Sequence, residues 1–228
     1  PDIGGSRASM CLMAAETLGV DYERVRAQVA DTESTGFCNV TGGSRTTFAT
    51  GMAVTQACED VIAECRKRAA MTWGLDEDQV EWEDGQAVPG PGVNADIKPL
   101  SLADLAGKAA KTGGPIQGRA SLNAQGAGAS FSLNFGDLRV DQETGKVDVL
   151  SYTAVQDAGK AIHPAYVEGQ MQGGAAQGLG WALNEEYIFN DEGVLENPGF
   201  LDYRIPVCSD LPMIDTAIVE VANPSHPY

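Results

Sequence analysis

Two carboxamides, Gln170 and Gln177, stand two turns apart in the stretch His163 to Glu186, HPAYVEGQMQGGAAQGLGWALNEE. Wound at 3.6 residues per turn, this stretch puts Gln170, Gly173, Gly174, Gln177 and Trp181 along one side and Met171, Ala175, Leu179, Ala182 and Leu183 along the other. The second side is a packing face. The first is unusual, because each glycine costs a helix interior about 0.8–1 kcal/mol relative to alanine, and Gly173, Gly174, Gly178 and Gly180 sit within eight residues. A backbone or a ligand must come close there, and the two glutamines would offer it amide donors and acceptors. The same pattern also fits tight packing of the helix on a sheet with the glutamines solvated.

A second kind of chemistry is suggested by Gly-Gly-Ser-Arg, which occurs at Gly4 to Arg7 and again at Gly42 to Arg45, each time ahead of an expected helix. A glycine turn at a helix start leaves several amides without an intrahelical carbonyl, and the helix dipole adds about half a positive charge, so an anion is welcome. Thr41, Gly42, Gly43, Ser44, Arg45, Thr46 and Thr47 form the better candidate, since they close a polar stretch from Asp31 that is long for an ordinary connection. A capped loop with nothing bound is the equally open alternative. An ordinary nucleotide site would need a Walker lysine or a Rossmann acidic partner, and neither pattern is present.

Other chemistries lack their residues. Only His163 and His226 are available as bases or imidazole ligands, each followed by proline, which leaves no convincing Ser/His/Asp constellation and no histidine-rich metal site. Cys11, Cys38, Cys58, Cys65 and Cys208 are scattered, with no CxxC; they read as structural thiols with no disulfide framework and no cluster ligation. Charge is decisive for partners. With 15 Lys and Arg against 32 Asp and Glu, the formal charge is -17, which argues against nucleic acid and anionic membranes. No run approaches the roughly 18 apolar residues of a spanning helix, and no signal peptide is evident, so a cytoplasmic protein is expected. A start at Pro1 and a stop at Tyr228 lead us to expect a piece of something longer.

The elements that would carry these groups follow from periodicity. Asp2-Ile3 reads as the tail of a strand; a helix then runs to Leu18 with Ser6 as N-cap, Ala8, Cys11, Leu12, Ala15 and Leu18 buried, and Gly19 as its stop. Arg24 to Ala30 alternates like a strand. After the polar loop comes a long helix with Val54, Ala57, Cys58, Val61, Ile62, Cys65 and Ala69 inside and Glu59, Asp60, Glu64, Arg66 and Lys67 outside. VEWEDG and QAVPGPG predict a hairpin, and IKPLSLADLAGKAAKTGG a strand and short helix capped by Ser101. Ala120 to Gly128 marks a lobe boundary or a loop over a site. Strands at Ala129 to Val140 and Lys146 to Asp157 precede the glycine-lined helix, whose end at Glu185 and Glu186 reads as solvated. Tyr187-Ile188-Phe189 and Val194-Leu195 flank a turn, and Thr216 to Val221 is the last strand. The sum is α+β with mixed sheets and packed helices, arranged either as one large domain or as two lobes at 1–120 and 121–228.

In sequence order, DIGGSRASMCLMAAETLGV, TGGSRTTFATGMAV, TAVQDAGKAIHPAYVEGQMQGGAAQGLGWAL and LDYRIPVCSDLP resemble the molybdenum-cofactor-binding large subunit of the xanthine dehydrogenase and aldehyde oxidase family. The resemblance runs almost end to end. It implies that residues 1–228 are part of the second molybdenum-cofactor-binding region, with two intertwined cofactor-binding lobes. Gln170 would hydrogen-bond the pterin, and the loop Thr41, Gly42, Gly43, Ser44, Arg45, Thr46 would lie against the cofactor. Gly4, Gly5, Ser6 and Arg7 would form another cofactor-side segment. Molybdenum itself would be held by the dithiolene of a molybdopterin, a cytosine dinucleotide if the source is bacterial, so the chain needs no metal ligand of its own.

Further implications concern the whole enzyme. The family oxidises or hydroxylates a carbon centre, or carries out a related redox reaction, with water as the oxygen source. Electrons leave through 2Fe-2S clusters to FAD on partner subunits or domains, and the rest of the molybdenum subunit is a further partner. The family's general base is a glutamate in a Gly-x-Gly-Glu motif beyond the point this chain reaches, and a glycine-rich segment with a phenylalanine near the metal is also missing. No glutamate here is therefore assigned as catalytic, Glu168, Glu185 and Glu186 included, and the piece by itself is expected to be inactive. The alternative of another class is a non-catalytic module of the same fold with an empty cofactor face.

Overall fold

The computed structural model describes residues 4–29, 31, 33, 36–38, 40–93, 96–126 and 128–226. Two compact units divide them, 4–126 with 224–226 and 128–223. Both combine helices with small sheets, so the fold is α+β as expected. Among the described residues no helix is long and apolar enough to cross a membrane.

In the first unit, helix α1 (Ser6–Leu18) starts after two left-handed glycines, Gly4 (φ 71) and Gly5 (φ 75). Gly5 is the N-cap, so Ser6 is the first helical residue and not the cap that its side chain suggested. The helix stops at Gly19 (φ 70), as anticipated. The buried face is not the one periodicity gave. Met13, Ser9 and Ala14 join Cys11 and Ala15 inside, while Ala8, Leu12 and Leu18 are only half-buried, because α1 buries the side that meets helix α2. The strand expected at Arg24 to Ala30 does not form over 25–29; a 3-10 turn (Tyr22–Arg24) leads into extended chain. Its alternation is real, with Val25, Ala27 and Val29 half-buried, but among the described residues no strand pairs with it. The Asp2-Ile3 strand tail and Ala30 lie outside the described residues.

Helix α2 (Gly51–Trp73) follows a π-helical turn at Thr46–Thr50. Its inner face supplies Cys65, Ala69 and Ala70 to a core completed by Val80, Ala87 and Leu105, with Trp73, Trp82, Leu100 and Ile116 packed around it. Strands β1 (Val80–Glu83), β2 (Gln86–Pro89) and β3 (Leu100–Ser101), an antiparallel sheet in that order, bring Val80, Trp82, Ala87 and Leu100, and helix α3 (Leu102–Gly107) brings Leu105. The β1–β2 turn is Asp84 (φ 46) and Gly85 (φ 75), the two-residue turn that matches strand twist. It sits directly on the end of α1: a β-carbon on Gly19 would lie 2.5 Å from Gly85 N, and Trp82 Nε1 donates to Leu18 O at 3.0 Å. Ser101 caps α3, accepting from Asp104 N at 3.1 Å while Asp104 accepts in return. Arg68, expected nowhere in the core, is buried; it pairs with Glu64 at 2.8 Å and donates to the carbonyls of Gly114 and Pro115. These bonds hold the segment after helix α4 (Ala109–Thr112) against α2.

In the second unit, β4 (Ser132–Val140) and β5 (Val147–Asp157) pair antiparallel with a bulge at Asp137/Leu138. Asp141 fastens their turn by accepting from the amides of Glu143 and Thr144, each at 2.9 Å. Helix α5 (Pro164–Leu183) then crosses over to β6 (Ile214–Val219), which lies parallel to β5. This βαβ connection was not anticipated. β6 begins two residues before the expected strand and stops at Val219, because its ladder partner ends at Asp157, whose carboxylate turns to take the amides of Gly159 and Val221. Tyr187 to Phe189 and Val194-Leu195 meet only through one bridge, Phe189 to Leu195.

Candidate functional site

The candidate groups of the first unit ride on α1 and on the approach to α2. At the start of α1, Ser6 is 3% exposed and its Oγ has no hydrogen-bond partner. The first turn of the helix carries no acidic side chain and no side-chain cap, so no carboxylate of that turn offsets the positive end of its dipole. Gly4 and Arg7 are exposed and Gly5 half-buried. A buried, unsatisfied hydroxyl costs free energy unless something polar reaches it.

The second copy of the tetrapeptide adopts a different backbone. Here the left-handed pair is Gly43 (φ 66) and Ser44 (φ 55), one position later than in the first copy. A left-handed conformation costs an L-residue roughly 1–2 kcal/mol, and strain of this kind persists where the surroundings impose it. Gly42, Gly43, Ser44 and Arg45 are exposed, Thr41 and Thr46 half-buried, and β-carbons built on the two glycines would meet nothing within 4 Å. The loop therefore keeps open space over its main chain. It is tied into the π-helical turn by Ala49 N donating to Arg45 O at 2.7 Å. α1 packs against this turn and against the start of α2, with Met13 filling the space beside Gly51.

In the second unit, α5 shows the two faces predicted for it. Val167, Met171, Gln172, Ala175, Ala176 and Leu179 are half-buried, and Gln172 Nε2 donates to Ile214 O at 3.1 Å, docking the helix on β6. Gln170, Gly173, Gly174, Gln177, Gly178 and Trp181 are exposed, and β-carbons built on the three glycines would meet nothing within 4 Å. Gly180 is different. It is buried, and a β-carbon there would press on Pro206 Cδ at 2.7 Å and on the Glu185 carboxylate. Ala182 and Leu183, assigned to the packing face, are exposed, since Gly180 is the last position at which the helix is covered.

Glu185 is not the solvated helix end expected of it. Tyr203 OH donates to its Oε2 at 2.8 Å, and this bond drives the Tyr203 phenol up to about 12. Asn197, also buried, donates to Glu186 O at 2.6 Å and accepts from Ile188 N at 2.9 Å, fixing the chain that leaves α5. At the other end, His163 stacks on Tyr166 with ring centroids 3.9 Å apart, and its Nδ1 is buried without a partner. Thr55, one turn into α2, carries a further orphaned hydroxyl. Sequence reasoning passed over Thr55 because a lone threonine in a helix interior carries no signal; the orphan exists only once neighbours bury it.

Among the described residues no three His, Cys, Asp or Glu gather to hold a metal ion. All five cysteines are free thiols; Cys58 and Cys65 are buried, and burial pushes Cys65 up to about 11. Taken separately, the first unit offers main-chain amides and hydroxyls at its glycine turns, and the second offers carboxamides along the glycine-lined side of α5; both are donor types suited to an anion.

The model of a family described as a molybdopterin cofactor-binding domain matches residues 1–212. The xanthine dehydrogenase molybdenum-binding subunit of Escherichia coli O157:H7 is 33% identical over 229 residues, covering 95% of this chain and 29% of the relative. The carbon monoxide dehydrogenase large chain of Hydrogenophaga pseudoflava is 28% identical over 98% of this chain and 28% of its own length. Among solved structures, quinoline 2-oxidoreductase from Pseudomonas putida 86 superposes with a TM-score of 0.84 at 26% identity, over 100% of this chain and 29% of that one. The chain thus spans under a third of the length of the relatives it matches.

Proposed function

The chain belongs to the molybdopterin cofactor-binding domain family, and from that premise we propose that it cradles a molybdopterin dinucleotide, with cytosine as the base, inside a molybdenum-dependent oxidoreductase. The observation that carries this reading is the open side of α5: Gly173, Gly174 and Gly178 leave the helix backbone accessible beside Gln170 and Gln177. Had large side chains of the same unit covered that stripe, the reading would have had no surface to rest on.

The residues fit such a group. Gln170 would supply a carboxamide to the pterin, with Nε2 able to donate and Oε1 able to accept. The segments Gly4, Gly5, Ser6, Arg7 and Thr41, Gly42, Gly43, Ser44, Arg45, Thr46 would hold its phosphates, with the orphaned Ser6 Oγ as a further donor. When bound, the molybdenum centre supplies the redox chemistry at a substrate carbon. The chain's own residues bind and orient; an acidic protein holds an anion in this way because local amides outweigh a net charge of -17 spread over the whole sequence. We propose further that the remaining part of the molybdenum subunit, and 2Fe-2S and FAD subunits or domains, complete the enzyme.

Replacing Gln170 by alanine in the intact parent protein tests this reading. Molybdenum per protomer and turnover should both fall, and acid hydrolysis of the wild type should release cytidine monophosphate. A well-folded parent without molybdenum would favour the non-catalytic module instead, and a Gln170→Ala protein with full occupancy and turnover would remove Gln170 and the open side of α5 from the cofactor's surroundings.

A further inference from the structure

After 223 the chain returns to the first unit, and residues 224–226 belong to it. The return is fixed at two places. Ser225 packs against Gly126, where an added β-carbon would lie 2.7 Å from Ser225 Cβ. His226 reaches the π-helical turn Thr46–Thr50: its Nε2 is 3.0 Å from Phe48 O, and its ring lies over Phe48 with centroids 5.0 Å apart and planes 30° apart. A carbonyl only accepts, so Nε2 carries the hydrogen in this bond.

We propose that His226 is a positioning residue, which fastens the π-helical turn and through it holds the Thr41–Arg45 loop in place. Turns of the π type are uncommon and hold poorly by themselves. In this one the Gly51 N–H is shared between the carbonyls of Phe48 and Thr47, so Phe48 O has bonding capacity left and His226 uses it. Arg45 O, the last group of the loop, accepts from Ala49 within the same turn, so loosening the turn releases the end of the loop. The geometry of the latch stands on its own; its consequence for a bound cofactor rests on the function proposed above.

Hydrogen exchange measured by mass spectrometry on the intact parent, at single-segment resolution, tests the latch. In His226→Ala, and in His226→Phe, which keeps a ring over Phe48 but removes the donor, amides at 46–51 should exchange about three- to tenfold faster, the loss of one hydrogen bond. His226→Gln, which can present an N–H at similar reach, should restore slow exchange. Unchanged exchange at 46–51, or acceleration spread equally over α1 and the β1–β2 hairpin, overturns the proposal. If the alanine protein does not fold, equal exchange in the Phe and Gln proteins overturns it. Molybdenum content is read from the same preparations. Faster exchange with wild-type molybdenum would leave the latch standing and remove the loop from the cofactor's surroundings.

Discussion

Met13 occupies the space that a β-carbon on Gly51 would require: a methyl built there lies 2.6 Å from Met13 Sδ and 2.8 Å from its Cε. Met13 is 1% exposed, so the thioether has little room to retreat. This contact pins α1 to the start of α2, and with them the two glycine-serine-arginine segments that each helix carries at its entrance.

Gly51→Ala should therefore overpack the crossing and cost about 1–3 kcal/mol, while Met13→Ala should leave a cavity and cost about 2–5 kcal/mol. Because both changes act on one volume, the double variant should lose clearly less than the sum. Urea unfolding of the four proteins checks this, and full additivity would refute the contact.

The glycines of α5 should separate into two classes. Gly173→Ala adds a methyl to open space and should stabilise the cofactor-free parent by about 0.5–1 kcal/mol through helix propensity, yet lower its molybdenum content. Gly180→Ala forces a methyl against Pro206 and the Glu185 carboxylate and should destabilise by about 1–3 kcal/mol. Thermal unfolding paired with metal analysis distinguishes the two.

Tyr203 should ionise late. Its hydrogen bond to Glu185, with burial and the carboxylate's charge as smaller causes, raises the phenol from 10 to about 12. The fold favours the protonated form, so this contribution to stability is complete below pH 10 and is lost as the pH rises from about 10 to about 12. A difference absorbance titration of wild type against Tyr203→Phe should show one phenol missing from the alkaline end; a phenol missing near pH 10 would contradict the bond.

Cys65 should resist alkylation. Burial raises its thiol to about 11, with Arg68 opposing and Glu64 adding, and the thiolate is the reactive form. At pH 8 iodoacetamide should leave Cys65 unmodified in the native protein and modify it after denaturation. Peptide mapping reads both states, and native labelling at Cys65 would show that the α2 core is open.

Much of this protein was legible one segment at a time. α2 and α5, the β1–β2 and β4–β5 hairpins, the Ser101 cap and the Gly19 stop are governed by interactions within a few residues, where periodicity and turn chemistry decide. The two faces of α5 were legible for the same reason, since residues three and four apart share a side whatever packs on it.

Where a neighbour decides, the sequence was silent or misleading. Val25, Ala27 and Val29 alternate as a strand would, yet without a partner they form none. Ser6 has a capping side chain, but two left-handed glycines bring the chain into α1 at Gly5 and leave the hydroxyl buried. Five glycines in α5 look alike as letters; only Pro206, brought back beside Gly180, makes one of them a packing residue and leaves four open. Local pattern thus determined the elements and the donor types they carry. Which groups are covered, paired or left facing outward was settled only by segments far apart in the chain meeting in space, a matter on which periodicity carries no information.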